Sequence, residues 1–474
     1  MPDKYCRLSA LPEQAVDVVV IGSGFAGLAA AIEAAAAGAS VIVVEKMLSP
    51  GGNSLISDGG IAAPGTAYQL DAGITWDSPE MMYRDMITAG EGLNHPQLVQ
   101  VIAEGARDAF LWTEEVLGVT YKNRIDIFGG HSVARCHTPE SVSGRSLIKR
   151  QIEKLIALGV PLYVGAAVQA LVQDEQGRVT GIKVADRDGG LRSDDDAETI
   201  IHASKAVIVA TGGFGSDVDF RQAQDPRLDG TLMSTNKPSA TAEILKECMR
   251  IGANPVQLSR IQLGPWASPD EKGFGLGPLF GDYVALPYGI LIDPYTGGRF
   301  VNELSDRKIL AEAMLQKKHP VIGIADAAGV QTAGWDLQRA VRKGIVKTFD
   351  TVPDLAAYYG VDPVNLQNSL SRFNQMVIRG EDCDFHKPML NMAVPIEHPP
   401  YYAMRFWPKV HHTMGGIQID VLARVIHREQ YPIAGLFAAG EVTGGIHGAC
   451  RLGSCAITEC LVMGRIAGQQ AARK

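Results

Sequence analysis

Three short stretches carry residues whose types suggest chemistry. "GACRLGSCAITEC" sets Arg451 between glycines and adds Cys450, Cys455 and Cys460. "KVHHTMGGIQID" holds the pair His411 and His412 before a Gly-Gly turn, and "GGRFVNELSDRKIL" contains Arg299 and closes towards Arg307. An arginine offers a fixed fork of donors suited to a carboxylate, and flanking glycines let backbone approach a ligand. The three cysteines are spaced five apart, and five helical steps turn through about 500°, so Cys455 and Cys460 point to different faces. They make no metal site on one helix and read as buried, inert thiols. The His pair reads as a turn with satisfied side chains, as a metal site, or as a functional pair. A metal site needs further ligands, and none stands near it in the sequence.

These residues need a frame. Val16 to Glu45 reads as strand, turn, helix and strand: "VDVVVIG" is apolar and β-branched, "GSGFAGLAAAIEAAAAG" becomes alanine-rich, Gly38 stops the helix, and "SVIVVE" is a second buried strand. Within it Gly22, Gly24 and Gly27, with Phe25 and Ala26 between them, match G-x-G-x-x-G. The first glycine allows the tight turn, the second admits pyrophosphate, and the third lets helix and strand pack closely; the helix N-terminus adds free N–H groups. Glu45 ends the next strand, where a carboxylate accepts from ribose hydroxyls. The motif by itself does not separate FAD from NAD.

Further along, "VPLYVGAAVQALVQDEQGRVTGIKVAD" alternates and turns at "DEQGR", "KAVIVATGGFG" is a buried strand ending in glycines, and "GLFAAGE" repeats that pattern. The expected fold is α/β: a Rossmann-type dinucleotide-binding domain assembled from both ends of the chain (1–260 and 401–474) with an inserted α+β capping domain over 261–400. The insert is rich in prolines and aromatics and holds the helical-looking "DLAAYYG" and "NLQNSLSRFNQMVIRG".

A length of 474 residues suggests two or three domains, and 46% hydrophobic with 20% charged residues is ordinary for a soluble globular chain. A net charge of −8 and the lack of a Lys/Arg block give no support for nucleic-acid binding. The first residues show no signal pattern, and the longest apolar run is broken by Glu33 and Gly38, so the expectation is a cytoplasmic protein without membrane insertion. Seven scattered cysteines fit reduced thiols.

The stretch "EKMLSPGGNSLISDGGIAAPGT" after Glu45, with "VIVATGGFG" and "GLFAAGEVTGG", resembles the fumarate reductase and succinate dehydrogenase flavoprotein family, especially its soluble flavocytochrome-like branch, over nearly the whole chain. The resemblance implies FAD. It carries the cofactor contacts onto Gly22, Gly24, Gly27, Glu45, Lys46, Gly52, Asn53, Ser54, Gly59, Gly60, Val168, Thr211, Gly212, Gly440, Glu441 and the start of the last helix at Ser454, Ala456 and Ile457. Membrane-bound members attach FAD through a histidine; Asn53 stands at that position, which implies non-covalent FAD. The resemblance makes His411 and Arg451 the ligands of a substrate carboxylate and sets His412 nearer the flavin. Ser454, near the helix N-terminus, suits the charge of a reduced flavin. Arg307 becomes the proton donor, a role open to so weak an acid when the acceptor is a strongly basic carbanion. Arg299, its rival, is expected to pair with a carboxylate beside its strand. The implied reaction is hydride transfer from flavin N5 to the β-carbon of an unsaturated acid, with Arg307 protonating the α-carbon.

The resemblance fails at one point. Fumarate reductases hold a second carboxylate with a histidine and a Thr-Glu pair, whereas "QLGPWASPDEKGFGLGPLFGDYVALPYGILID" contains no histidine and has Gly281 and Asp282 in place of Thr-Glu. Trp266 stands near the missing histidine and can stack on a ring. These residues favour an aromatic, heterocyclic or cationic tail, as in urocanate-like or cinnamate-like acids, and Asp282 can instead feed protons to Arg307. No C-x-x-C-H haem signature and no second nucleotide motif occur, so electrons are expected from a separate reductase, a small carrier or reduced flavin. The alternatives are a dehydrogenase or oxidase of the same family running in reverse (tricarballylate, aspartate or ketosteroid type) and a non-enzymatic redox sensor.

Overall fold

The computed structural model describes residues 5–6, 15–186, 198–389 and 393–473. The N-terminal residues behind the localisation expectation lie largely outside that range. Strand β1 (Val16–Ile21) leads into helix α1 (Phe25–Ala36) and strand β2 (Val41–Glu45), the predicted βαβ unit. β1 pairs in parallel with β2 on one side and with Glu198–Val209 on the other. Leu162–Val164 extends the sheet beyond β2, and Pro432–Ala438 lies parallel to Glu198–Val209 on the far side. The sheet is thus completed by a strand from the chain's last fifty residues, as the repeated strand-then-glycine pattern predicts. Its central strands β1 and β2 are mostly apolar and buried, with α1 and the last helix packed on the sheet and the hairpin of Ala166–Gln173 and Val179–Asp186 also packed against it.

The hairpin Ala166–Gln173 with Val179–Asp186 forms where the alternation predicts it. In the insert, the strands Ile290–Ile292, Val321–Ala325, Tyr401–Phe406 and Lys347–Phe349 make a four-stranded antiparallel sheet. The helices Val352–Tyr359 and Pro363–Arg379 pack on it around Leu355, Leu366, Leu370 and Phe373. Thr351 and Asp362 cap their N-termini, and Gly360 and Gly380 end them in the left-handed region. Tyr401–Phe406 belongs to this sheet, so a division at 400 cuts through it. The register of that strand against Val321–Ala325 is a long-range pairing that local composition does not reveal. Ile261–Gly264 pairs antiparallel with Lys409–Thr413, which holds the His411 strand against the insert.

Candidate active site

The glycine loop lies at the carboxyl edge of the parallel sheet. Gly22 has φ +102°, and a Cβ there would meet the Ala210 carbonyl oxygen at 2.4 Å, so only glycine fits. Glu45 is buried and accepts from the Ser23 amide (3.2 Å) and hydroxyl (2.5 Å) and from the Met47 amide (2.9 Å). Helix α1 starts without a side-chain cap of its own, and the Ser54 hydroxyl accepts from the Phe25 amide at 3.1 Å.

The last helix, Cys455–Ala471, crosses α1 at close range. A Cβ on Gly464 or Gly468 would strike the carbonyl oxygens of Ala26 (2.5 Å) or Ala30 (2.1 Å). Small residues on both helices therefore set how near the helix start comes to the glycine loop. Ser454 precedes that start in the left-handed conformation, φ +62°, and its Oγ has no hydrogen-bond partner among the described residues.

A cavity of about 440 Å³ opens between these elements and the insert. It is lined by Phe25, Asn53, Ser54, Gly60, Glu441, Ser454, Ala456 and Ile457 from the dinucleotide fold, by His411 and His412 from their strand, and by Trp266, Asp282 and Arg307 from the insert; Arg451 stands among them. Orphaned buried atoms face this space: Arg451 Nε, His412 Nε2 and Ser454 Oγ belong to lining residues and lack partners. A glycine cradle next to unpaired donors fits a bound dinucleotide cofactor with an acid beside it.

Arg451 is buried; its Nη1 donates to the Leu452 carbonyl at 3.2 Å, and Gln262 Nε2 donates to the Arg451 carbonyl at 2.9 Å. Burial and then the neighbouring Arg307 charge lower its pKa to about 10, still cationic at neutral pH. His411 is held well below the ordinary histidine value by burial, then by Arg451 and Arg307, so it is neutral. Its Nδ1 lies 2.8 Å from Thr235 Oγ1. The same hydroxyl lies 3.3 Å from the Val410 carbonyl oxygen; Nδ1 is its nearer acceptor, and on that basis we assign the tautomer that leaves Nε2–H free as a donor to an anion. Arg307 Nη2 donates to Asp282 Oδ2 at 2.7 Å, and its guanidinium lies over the Trp266 ring at 5.7 Å. Burial raises the pKa of Asp282 against the opposing pull of Arg307, with Asp58 raising it further. Trp266 is buried and meets His411 edge-on, ring centroids 4.8 Å apart, so it faces the cavity rather than only filling core.

Other expected positions lie apart from the cavity lining. Gly24, Ala26, Gly27, Gly52, Gly59, Thr211, Gly212 and Gly440 belong to the backbone of the sheet edge and its loops, and Val168 sits on the hairpin strand Ala166–Gln173. Lys46 Nζ donates to Thr241 Oγ1 at 2.9 Å and pairs with Glu243 at 3.1 Å. Asn53 does line the cavity; its Nδ2 donates to Asn236 Oδ1 at 2.5 Å, and its Oδ1 accepts from the Lys237 amide at 2.8 Å. Arg299 pairs with Glu303 (2.7 Å) and Asp382 (2.9 Å), as expected of it.

Two expectations need correcting. Ligand types do gather at His412: one ligand atom each of His412, His447 and Glu459 lie within 4.8 Å of one another, brought together by chain folding. His447 Nε2 and Glu459 Oε2 already pair at 2.9 Å, and His412 Nδ1 faces Glu441 Oε1 at 3.5 Å, so internal contacts account for most of the group. The cysteines also divide. Cys450 and Cys455 are buried, with burial pushing their thiols up to about 11 and about 12, but Cys460 is only half-buried and lines the cavity.

Sequence reasoning missed Asp58, Tyr283, Phe274 and Thr235, all of which line the cavity. Tyr283 donates to Asp58 Oδ2 at 2.7 Å, next to the Asp282 that holds Arg307. Both lie on a π-helical turn, Gly281–Ala285, a widened turn often found at functional sites. The Asp58 signal was a lone acid inside "ISDGGIAA", a run of small and apolar residues.

A dinucleotide fold whose cofactor edge opens into an arginine-lined cavity is the architecture of a nucleotide-cofactor oxidoreductase. The FAD binding domain family matches residues 17–457, and the chain belongs to that family. It is 38% identical over 468 residues to an acrylate reductase flavoprotein subunit from Shewanella woodyi, covering 96% of this chain and 91% of that protein. It is 35% identical to a urocanate reductase from Eggerthella lenta, covering 96% and 74%. The open conformation of a flavocytochrome c3 fumarate reductase superposes with a TM-score of 0.75 at 32% identity, over 98% of this chain and 79% of the other. The protein is an FAD-dependent oxidoreductase, in a flavoprotein reductase family whose named members act on unsaturated carboxylates. No helix among the described residues is long and apolar enough to cross a membrane.

Proposed function

We propose that the protein reduces the C=C bond of an enoate carrying one carboxylate and an aromatic or heterocyclic tail. The observation that carries this reading is the polarity of the cavity. Arg451, His411 and Arg307 converge in it, while Trp266, Phe274, Asp282, Asp336 and Arg339 line the rest of the insert side and Asp58 meets them from the dinucleotide fold through Tyr283. Beside Trp266 a second carboxylate would meet Asp58 and Asp282, with Arg339 as the further cation of the lining, whereas a ring with an N–H donor would meet acceptors and an aromatic face.

FAD supplies the hydride when bound, and Asn53, whose amide is already engaged with Asn236 and Lys237, leaves it non-covalently held. Arg451 and His411 Nε2–H hold the substrate carboxylate and stabilise the enolate-like charge that builds there as the β-carbon is reduced. Arg307 gives a proton to the α-carbon, and Asp282, in contact with it at 2.7 Å, returns one. Glu441, at the His412 side of the cavity, and Ser454, at the helix start, face the cofactor. Trp266 and the insert exclude water from the reacting carbons.

The test is anaerobic. The bound flavin is reduced with dithionite and mixed with acrylate, fumarate, urocanate and cinnamate. Fast reoxidation by urocanate or cinnamate, with fumarate slow, is the expected result. Reoxidation by none of the acids would remove the ene-reductase reading, and preference for fumarate would remove the assignment of the tail.

A further inference from the structure

Behind the Arg451 loop lies a polar cluster, buried around Arg135 and reaching the surface at Ser132, that the reaction itself does not use. Arg135 is 0% exposed and grips Asp77 with two bonds, Nε to Oδ2 at 3.0 Å and Nη2 to Oδ1 at 2.8 Å. Its Nη1 donates to Asp85 and, at 3.1 Å, to His131 Nδ1. Asp85 also accepts from the Ser132 amide and hydroxyl, both at 2.9 Å. On its far side His131 Nε2 lies 2.9 Å from the Gly453 carbonyl oxygen. Gly453 is two residues after Arg451 and one before Ser454.

The donors fix the direction of this chain. An arginine only donates, so His131 Nδ1 must accept from Arg135, and the remaining proton sits on Nε2 and is donated to Gly453. Burial, and then the Arg135 charge, lower the His131 pKa to about 4, so the ring stays neutral at neutral pH and this pattern persists. By contrast, among the described residues the Arg451 guanidinium hydrogen-bonds only the Leu452 carbonyl of its own loop, and its Nε has no partner. The side chain that must aim at the substrate is therefore held through its backbone. Gly130 and Phe128, on the loop carrying His131, abut Leu452 and Gly453 from the same side.

We propose that His131, oriented by Arg135 and its two aspartates, is a positioning residue that locks the Arg451–Ser454 turn through the Gly453 carbonyl, fixing the carboxylate clamp and the start of the last helix together. This rests on the role given to Arg451 in the proposed function. A turn fixed beforehand binds an anion without first having to be ordered.

Two variants test it on the FAD-loaded protein. His131→Leu fills the space but ends both contacts, and leaves Arg135 paired with Asp77 and Asp85. His131→Gln can still accept from Arg135 and donate to Gly453. In the oxidised holoenzyme, where acrylate binds without turnover, calorimetric titration should show about tenfold weaker acrylate binding for His131→Leu and recovery to within about twofold for His131→Gln. In an Arg451→Met background, His131→Leu should add no further loss. Hydrogen exchange gives a readout that needs no substrate: amides of residues 453–457 should exchange about tenfold faster in His131→Leu and recover in His131→Gln. Unchanged exchange in His131→Leu, or identical behaviour of the two variants, overturns the proposal. If exchange changes as expected while the wild type binds no unsaturated acid, the positioning role stands and the ene-reductase reading falls.

Discussion

The two sides of the site are built differently. The dinucleotide cradle is made of backbone: Gly22 in the left-handed region, the start of α1, and a last helix brought close by Gly464 and Gly468. The insert side is made of side chains: Trp266, Asp282, Tyr283 and Arg307, carried on a π-helical turn, a loop and a helix start. Backbone recognition is insensitive to most residue changes, so it suits a cofactor shared across a family. Side-chain recognition changes with single substitutions, so it suits substrate choice and proton transfer. Variants on the insert side should therefore change chemistry while leaving FAD bound, and the following measurements can break that division.

Arg307→Gln should have the largest effect, a fall of about 10³-fold in turnover with FAD content unchanged. Stopped-flow reoxidation by the preferred acid checks it, and near-normal turnover would move proton donation elsewhere. Arg451→Met, at the junction of the two sides, should lower kcat/KM by about 10²-fold or more with FAD retained. Loss of FAD in that variant would mean the arginine serves the cofactor more than the acid.

Glu441 tests the cradle side by pH. Burial raises its pKa from 4.5 to about 7. The folded protein then binds this proton more tightly than the unfolded chain does. The contribution is full below pH about 4.5 and is lost as pH rises through about 7, on the order of 3 kcal/mol in all. Denaturant unfolding of FAD-free protein should show that decline, and Glu441→Gln should flatten it. A smaller effect is expected at Asp58. Asp58→Asn removes a negative charge that the dinucleotide fold presents to Tyr283 of the insert and should shift the ratio of fumarate to urocanate turnover towards fumarate by about tenfold. An unchanged ratio would take Asp58 out of substrate selection.

Much of this was legible from residue order. The βαβ unit, the glycine loop and the helices of the insert carry local signals, since apolar periodicity, caps and glycines act within a few residues. Arg307, His411 and Arg451 stood out by type and setting, and they do share one cavity. What stayed hidden depends on distant neighbours. Asp58 looked like a loop acid until Tyr283, 225 positions away, was seen to donate to it. His131 and Arg135 sit in "HSVARCHTP", which carries no motif, and their importance comes from Gly453, 322 positions further on from His131.

The sequence alone determined the dinucleotide fold and the arginines available for an anion, because those follow from local backbone demands and from side-chain chemistry, while FAD followed from the resemblance of its motifs to a flavoprotein family. Tertiary structure alone decided which acids surround the insert side of the cavity, which tautomer His411 and His131 adopt, and how the Arg451 turn is held. The His411 tautomer depends on Thr235, the place of Asp58 on Tyr283 and the Arg451 turn on His131, each contributed from far along the chain, and only packing sets those distances.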